Sequence, residues 1–521
     1  ESVLEQLGFN KTIKETTENL RNLKTAEAIT KGLTDNFGKF IKAVDQAPFS
    51  GIMNDMNKIF TGIAVMTTTA YISSAYSQDY GAQIDTLQNE LLKMKQQMNT
   101  ADKGKAYFEK GKGLRVKSTD GKYMFQIKGR LMYDVGGLIN YETKSNATTA
   151  GADVATNDSI GSEFRRLRFT IKGEVGNGWG FAFQPDFADG TDDSDDMQVI
   201  FKDALIYKKI KGFGKFTFGN QKAAAGLYED TSSNNLLFME RPMHNEMMNF
   251  GHRSGIGYDT SGALGKEFHT KMTFFTGQEA SFEQLVGADD ASNESFGFGI
   301  ASHYNFKQKG VFGQSLSALL GYHYGYFNIS KISGNTASGN TYDTNSARAQ
   351  GFHLFTDKPI DLGNLVMADD HYFHGPQLSV ILGQFFLQGE YQMGAYTFKG
   401  DNGGTARDDI NIYGGSIGAV YAFSGNWKHS GKKGAISGFK CKSNCTQIKY
   451  QFESMDANDY SDQASNLTTG EGGAGTAHTF GINHYFNSNV RLLVEGAVGD
   501  YSIDNARGGS TGSDVSTIQA R

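Results

Sequence analysis

The sequence predicts an all-β protein, a closed antiparallel barrel that crosses a membrane and is preceded by a short helical coiled coil. Three observations predict this class: alternation of apolar and polar residues, an unusual composition, and a segment typical of an export signal. The chain has 65 Gly, 38 Phe and 24 Tyr but only 5 Pro. Because Pro is largely excluded from strand interiors, this composition fits many long hydrogen-bonded strands.

The export signal lies at residues 56–77 rather than at the start of the sequence. Met-Asn-Lys is followed by a mainly apolar run, residues 59–72, and then by Ser-Ser-Ala-Tyr-Ser. A basic start, a short apolar core and a small-x-small cleavage site form the secretory pattern. We expect cleavage near Ser77, which leaves the upstream helical segment, residues 1–55, outside the mature protein. The alternative is a cytoplasmic helical domain anchored by a helix at residues 59–75.

A coiled-coil pattern follows at residues 78–101. Its apolar residues recur at alternating spacings of three and four: Ile84, Leu87, Leu91, Met94 and Met98. A helix this short is marginal alone in water, so the pattern favours association of identical subunits. The alternative is a single amphipathic helix packed on its own barrel. A polar segment, residues 102–113, is expected to be a linker.

The barrel is predicted for residues 114–521, where alternation over about ten residues is interrupted by breaks rich in Gly, Asn, Asp and Ser. In one example, Phe125, Ile127, Leu131, Tyr133 and Val135 alternate with Gln126, Lys128, Arg130 and Asp134. Long polar stretches alternate with tight connections, as expected of long outer loops and short periplasmic turns. A soluble β-sandwich would also alternate, but the export signal and the number of repeats favour a membrane barrel with a polar lumen.

The face opposite the apolar one is predicted to line the lumen and is moderately basic. Its basic candidates are Lys128, Arg130, Arg166, Arg168, Lys172, Lys202, Lys208, Lys271, Lys449 and Arg491. Its acidic candidates are Asp134, Glu174, Asp186, Glu390, Glu453 and Glu495. An excess of Lys and Arg in a pore favours anions. The alternative is that these charges pair across neighbouring strands, and a register slip of one residue would move any of them to the other face.

Asp203 breaks the alternation because it falls on the apolar face, between Phe201 and Leu205. A bare carboxylate that faces lipid is costly. We therefore expect either a bulge that turns Asp203 away from the lipid or a subunit contact on that face.

Other kinds of chemistry find little support in the sequence. The net charge is −6, and the basic residues do not cluster in the sequence as they do in proteins that bind nucleic acid. Cys441 and Cys445 form either a small loop disulfide or a pair of free thiols, and they cannot by themselves make a four-cysteine zinc site. His371 and His374 would need further converging ligands to hold a metal. Since no nucleotide-binding loop or nucleophile elbow occurs, we expect no enzyme, no cofactor and no metal.

Six short motifs stand out in the first half of the barrel. They are Phe-Arg-Arg-Leu-Arg-Phe-Thr-Ile-Lys-Gly from Phe164, Lys-Asp-Ala-Leu-Ile-Tyr from Lys202, Phe-Gly-Asn-Gln-Lys from Phe218, Thr-Ser-Ser from Thr231, Phe-Met-Glu-Arg from Phe238 and Gly-His-Arg-Ser-Gly from Gly251. Together they resemble the phosphate-selective porin O and P family, and Phe-Met-Glu-Arg is the most specific of them. The resemblance returns at residues 422–439 and 486–493 and extends over residues 113–521.

This resemblance implies a 16-stranded, homotrimeric porin of the bacterial outer membrane whose third long loop folds into the lumen and narrows it. Residues 222–248 match the position of that loop, so Lys222, Glu229, Glu240 and Arg241 are candidates for the constriction. The implied solutes are small anions, with phosphate among them. The implied partners are outer-membrane lipid and further copies of the chain.

Two features depart from the family pattern. Acidic residues, Glu229, Asp230 and Glu240, dilute the positive charge of the predicted loop. Family members end in an aromatic residue on the last strand, whereas this sequence stops at Arg521, so we expect a truncated last strand. The rival interpretations are a general, non-selective porin and a structural outer-membrane anchor held by the coiled-coil stalk. A steady ion current across a bilayer would separate a pore from a plugged anchor.

Overall fold

The computed structural model describes residue 89 and residues 105–109, 112–145, 159–188, 199–260, 262–265, 267–276, 295–329, 341–343, 346–347, 360–362, 364–366, 368–398, 409–430, 435–458, 472–505 and 509–521. The upstream segment 1–55, the export signal 56–77 and the coiled coil 78–101 thus lie outside the described residues, except for Asn89, which is helical and exposed. Among the described residues, no helix is both long and apolar enough to cross a bilayer.

The described residues form 24 strands. They are β1 (Lys105–Glu109), β2 (Gly113–Lys117), β3 (Tyr123–Ser145), β4 (Ser159–Val175), β5 (Trp179–Asp186), β6 (Ile200–Ile210), β7 (Gly214–Lys222), β8 (His252–Asp259), β9 (Phe268–Thr276), β10 (Phe296–Val311), β11 (Gln314–Asn328), β12 (Thr341–Asp343), β13 (Ser346–Ala347), β14 (Ile360–Asp361), β15 (Asn364–Val366), β16 (Ala368–Leu382), β17 (Phe385–Phe398), β18 (Ile410–Ala422), β19 (Asn426–Ser430), β20 (Ala435–Lys440), β21 (Ser443–Asp456), β22 (Ala474–Asn487), β23 (Arg491–Asn505) and β24 (Gly509–Ala520).

Sixteen of these strands close into an antiparallel barrel. Strands β3 to β11, β16 to β18 and β21 to β24 each pair with the next, and β24 pairs with β3 from Ser145 to Val135 to complete the ring. Closure gives each of these strands a hydrogen-bonding neighbour on both sides, which a bilayer requires of its spanning segments. The expected class and strand number are confirmed.

The two faces of the barrel wall differ as the alternation predicts. The outer face carries apolar side chains such as Leu131, Ile206 and Phe274, which are 62%, 45% and 62% exposed. The inner face carries polar side chains such as Arg166 and Gln447, which are buried. Polar groups are buried on this face because segments of the chain fold into the lumen and pack against it.

Short turns lie at one end of the barrel and long connections at the other. Strands β4 and β5 are joined by Gly176, Asn177 and Gly178, with φ angles of 86°, 48° and 79°. Glycine adopts this left-handed backbone without a steric cost, which allows so tight a connection. We refer to the two ends as the short-turn end and the long-loop end.

A bulge in β4 adds a side chain to the inner face. Met132 pairs with Arg166 and Tyr133 pairs with Phe164, so Arg165 has no partner of its own in β3. An unpaired residue of this kind bends the strand and re-aims its side chains. Arg165 and Arg166 consequently reach the same carboxylate inside the barrel, that of Glu240.

A second bulge, at Lys202 in β6, accounts for the anomaly at Asp203. Gln184 pairs with Asp203, and the next residue of β5 pairs with Phe201. The extra residue shifts the alternation of side chains in β6 by one position, so that Asp203 lies on the inner face together with Gln184. This agrees with the bulge, one of the two alternatives expected from the sequence. Asn220 stabilises the bulge, since its buried Nδ2 donates to the carbonyl oxygens of Phe201 at 2.6 Å and Lys202 at 3.2 Å.

The segment expected to be a linker, residues 102–113, instead contains β1 and the first residue of β2. The β1–β2 hairpin pairs through β2 with Met124 to Ile127 of β3. It uses the same edge of β3 as β24, which pairs farther along that strand. A short polar segment can form a strand when a neighbouring strand offers unpaired backbone groups.

Two of the described segments fold into the barrel. The constriction loop, residues 223–251 between β7 and β8, contains helix α1 (Leu227–Asp230), a 3-10 helix (Ser233–Asn235) and helix α2 (Met243–Met248). Its buried Met247, Met248 and Phe250 pack in one apolar cluster with wall residues and with Leu365 of β15. The luminal hairpin comprises β19 and β20 and enters from the short-turn end.

The disulfide Cys441–Cys445 follows the luminal hairpin directly. Of the two states that the sequence leaves open for these cysteines, the structure has the bonded one.

The bulge at Lys202 gives a test of the fold. Replacing Asn220 by Ala removes two hydrogen bonds from buried carbonyl groups, which we expect to destabilise the barrel by about 1–3 kcal/mol. The thermal midpoint in detergent, followed by the gel shift between folded and unfolded forms, should fall. Gln308→Ala, at an exposed position in β10, is the matched control. Equal midpoints for the two variants would contradict the role of Asn220.

Candidate functional site

The constriction loop crosses the lumen and is held there by carboxylates of the barrel wall. Its backbone N–H groups at Tyr228, Met239 and Met243 donate, in that order, to the side chains of Glu390 on β17 (3.2 Å), Glu495 on β23 (2.8 Å) and Glu453 on β21 (2.8 Å). All three carboxylates are buried. Hydrogen bonds from N–H groups to a carboxylate are about twice as strong as those between neutral groups. The loop is therefore fixed at three points around the wall.

Basic and amide side chains of the same wall bind the carbonyl groups of the loop. Leu237 accepts hydrogen bonds from Lys449 Nζ at 3.0 Å and from Asn483 Nδ2 at 2.9 Å. Leu236 accepts one from Arg491 Nη1 at 2.8 Å. Lys449 also contacts Glu495. Lys449 and Arg491 were both counted as lumen charges in the sequence. In the structure they hold the backbone of the loop.

Glu240 is the centre of an ion network at the tip of the constriction loop. It accepts from Arg165 Nε at 3.0 Å, from Arg166 Nη2 at 2.8 Å and from Arg521 Nη2 at 2.5 Å. Arg521 also pairs with Asp134 at 2.6 Å. Glu240 and Arg166, both candidates from the sequence, thus meet each other, and their charges are compensated locally.

Glu229 joins the base of the loop to its return segment. Its carboxylate lies 3.1 Å from Lys222 Nζ and 3.2 Å from Arg241 Nε. Burial alone would raise the pKa of Glu229, but Arg241 and Lys222 hold it well below its ordinary value. All four constriction candidates, Lys222, Glu229, Glu240 and Arg241, take part in ion pairs at this loop.

A row of basic side chains runs along the inner face of β3 and β4. Arg130 of β3 pairs with Arg168 of β4. Farther along the same face, the row continues with Lys128 on β3 and Lys172 on β4. Arg130 donates to Ser233 Oγ of the loop. This row therefore lies where the wall faces the constriction loop.

We define the basic cluster as this row together with two residues of the loop region, so that its members are Lys128, Arg130, Arg168, Lys172, Lys222 and Arg241. Three carboxylates lie among them: Asp186, which pairs with Arg168 at 2.5 Å, Asp203 and Glu229. The neighbouring pair Lys271–Asp230, at 2.7 Å, adds no net charge. Six Lys and Arg against three carboxylates leave the cluster with a positive excess.

The remaining lumen candidates lie in other surroundings. Lys271 contacts Asp230 inside the barrel. Lys202 occupies the bulge of β6. Lys208 lies on the outer face, where its Nζ sits 4.9 Å from the centre of the Trp179 ring and donates to the carbonyl oxygen of Asn177. The bulge causes this difference, because it exchanges the two faces for every residue of β6 that follows it.

Sequence reasoning missed Arg165 and the luminal hairpin. The bulge that brings Arg165 inward has no signal of its own in an alternating pattern, although the adjacent arginines of Phe-Arg-Arg do suggest that one of them must leave the expected face. Within the described residues, no group of three or more His, Cys, Asp or Glu could hold a metal ion.

Comparison with known proteins gave one family. The sequence profile of the family described as phosphate-selective porin O and P matches residues 125–517 of the chain. No curated protein matches the chain in sequence.

Several solved structures are similar to the chain. The anion-selective porin from Comamonas acidovorans is 15% identical over 76% of this chain and 100% of that one, with a TM-score of 0.39. The outer membrane channel DcaP of Acinetobacter baumannii is 12% identical over 78% and 98%, with a TM-score of 0.39. The trimer form of OmpT, an outer membrane protein of Vibrio cholerae, is 14% identical over 75% and 99%, with a TM-score of 0.36.

The network around Glu240 leads to a test of the loop. Glu240→Ala leaves buried arginines without their shared carboxylate, which we expect to cost roughly 3–5 kcal/mol. Hydrogen–deuterium exchange of the segment around Met239 should rise at least tenfold. Glu267→Ala, at an exposed position between β8 and β9, is the control and should leave that exchange unchanged. Unchanged exchange in Glu240→Ala would mean that the network does not hold the loop.

Proposed function

Because this chain belongs to the phosphate-selective porin O and P family, and is thus a porin of the bacterial outer membrane, we propose that it passes small anions by passive diffusion along the basic cluster. Family membership supports a channel rather than an enzyme. In barrels of this membrane the short turns face the periplasm and the long loops face outward, which gives the orientation of the pore.

The observation that carries the proposal is the positive excess of the basic cluster. A narrow passage with low-dielectric walls focuses the field of its charges and raises the local concentration of ions of opposite sign. Rings of Lys and Arg give anion preference in this way. The cluster combines six basic side chains with three carboxylates at the level of the constriction loop, where the field acts on a solute at closest range.

Pairing of charges reduces this excess but does not cancel it. On the side of β21 to β24, Glu495 and Lys449 contact each other and the backbone of the loop, so they offer little to a passing ion. On the side of β3 and β4, the carboxylates are fewer than the basic groups around them. We therefore assign the anion path to the β3–β4 side of the lumen.

Phosphate is the anion that the cluster fits best. A guanidinium group binds two oxygens of a phosphate at once, whereas an ammonium group acts as a point charge. Arg130 and Arg168 are cross-strand neighbours, and the hydroxyl of Ser233 lies beside Arg130. Paired guanidinium groups with a hydroxyl donor would suit an anion with several oxygens better than chloride.

We also propose that the porin is a homotrimer joined in part by its coiled coil. The heptad pattern of residues 78–101 supports association of identical chains. Cross-linking of the detergent-purified protein should give a trimer, and removal of residues 78–101 should weaken it.

Reversal of the charge on the row tests the anion path. Replacing both Lys128 and Lys172 by Glu leaves the basic cluster with four basic side chains against five carboxylates, so we expect selectivity to turn from anions to cations. Reversal potentials across a salt gradient in planar bilayers measure this. Lys208→Glu makes the same change on the outer face and should leave the reversal potential as in the unaltered protein. A double variant that still prefers anions would refute the assigned path.

Arg130 offers a separate test of phosphate preference. Arg130→Lys keeps the charge but loses the planar fork, so chloride selectivity should persist while block of the chloride current by inorganic phosphate weakens by roughly 3- to 10-fold. Lys208→Arg, on the outer face, is the control. Equal block in the variant and the unaltered protein would limit the function to general anion diffusion.

A further inference from the structure

The luminal hairpin leaves the wall at one pair of strands and re-enters it at the same pair. It follows β18 and precedes β21, and these two strands pair with each other, with Ala422 opposite Gln447. Such a connection could be a short turn, as it is between β16 and β17. Here the chain runs inward as β19 and β20 before it rejoins the wall.

The hairpin packs on the inner wall through an aromatic group and a histidine. The Trp427 ring stacks on Phe386 of β17, with centroids 4.8 Å apart, and contacts Phe439 at the same distance. His429 lies 3.0 Å from Ser317 Oγ and 2.8 Å from Ser379 Oγ, on β11 and β16. The hairpin therefore reaches across several strands of the short-turn half of the lumen.

The hairpin also supports the tip of the constriction loop. Leu237 and Phe238 of the loop belong to the same buried apolar cluster as Trp427 and Phe386. The fit is close at Gly438, where a Cβ atom would lie 2.7 Å from Asn235 Oδ1. A shift of the hairpin would remove the surface on which this part of the loop rests.

The disulfide Cys441–Cys445 closes the turn that sends the chain from the hairpin into the wall. Strand β20 ends at Lys440 and β21 begins at Ser443, so the reversal takes place within the five-residue ring. Asn444 in this ring has a φ of 51°, a left-handed conformation that residues other than glycine rarely adopt. Both cysteines are buried, with 6% and 4% exposure.

We propose that this disulfide is a clasp that positions the luminal hairpin and, through it, the tip of the constriction loop, so that its redox state sets the conductance of the pore. The argument rests on the proposed pore function. With the bond closed, the reversal at Lys442 to Asn444 is locked and the hairpin stays against Phe386 and the loop. With the bond open, only the contacts of the hairpin itself oppose its movement toward the periplasm, and the short-turn half of the lumen widens.

The reductant in the test is a small dithiol, dithiothreitol. Its two thiols supply two electrons and two protons, and they become a cyclic disulfide. The sulfur–sulfur bond of Cys441–Cys445 breaks to give two thiols. A mild oxidant such as diamide takes two electrons and two protons from the two cysteine thiols, and the sulfur–sulfur bond forms again.

The experiment uses the full-length protein already inserted in planar bilayers, so that folding is complete before the bond is cut. Single-channel conductance is recorded before dithiothreitol, after it and after diamide, and mass spectrometry of alkylated protein verifies that both thiols form. We expect conductance to rise at least 1.5-fold, with more current noise, and to return after oxidation. The double variant C441S/C445S should show the higher conductance from the outset and no response to dithiothreitol.

Verified reduction that leaves conductance and noise unchanged would overturn the clasp. A response of the same size in C441S/C445S would also overturn it, because the effect would then lie elsewhere. Absence of any current before reduction would instead contradict the proposed pore function, which keeps the two failures distinct. A thermal midpoint that stays constant while conductance changes would separate positioning of the hairpin from general loss of structure.

Discussion

Closure of the barrel by the pairing of β24 with β3 is the constraint on which the rest of the structure depends. Inside a bilayer every backbone N–H and C=O group needs a partner within the protein, and only a closed ring supplies one on both sides of each strand. Closure also separates the side chains into an outer apolar face and an inner polar face. The constriction loop can fold inward because that inner face offers charged and amide groups to its backbone. The luminal hairpin instead packs on the inner face through Trp427 and His429.

The sequence allowed prediction of the wall but not of how its charges are used. Alternation around Phe125 and Ile127 reports directly on burial, so the barrel and most lumen positions follow from it. A bulge adds one residue without altering composition. The adjacent arginines therefore only hint at the inward turn of Arg165, and the outward position of Lys208 follows only if Asp203 is taken to mark a bulge. The pairing of Glu240 with Arg166 is likewise invisible, because it joins residues far apart in the chain.

Anchoring of the loop explains why a simple count of lumen charges is a poor guide to selectivity. A buried charge is tolerated only when it is paired or hydrogen-bonded, and the loop brings peptide groups and carboxylates that need partners. Glu390, Glu453 and Glu495 each satisfy a backbone N–H group of the loop. Their carboxyl groups are committed to structure, so the acidic side of the count loses much of its effect on a solute.

The same reasoning supports our proposal that selectivity resides on one side of the lumen. Lys449 and Arg491 hold carbonyl groups of the loop, so they cannot rearrange around an ion without loosening its backbone, whereas Arg130 contacts the loop at a side-chain hydroxyl. The row on β3 and β4 differs, because Lys128 and Lys172 share the inner face with Arg130 and Arg168, and Asp186 pairs with Arg168. In the proposed division, the charged residues of the supporting side stabilise the loop, and those of the basic side act on the solute.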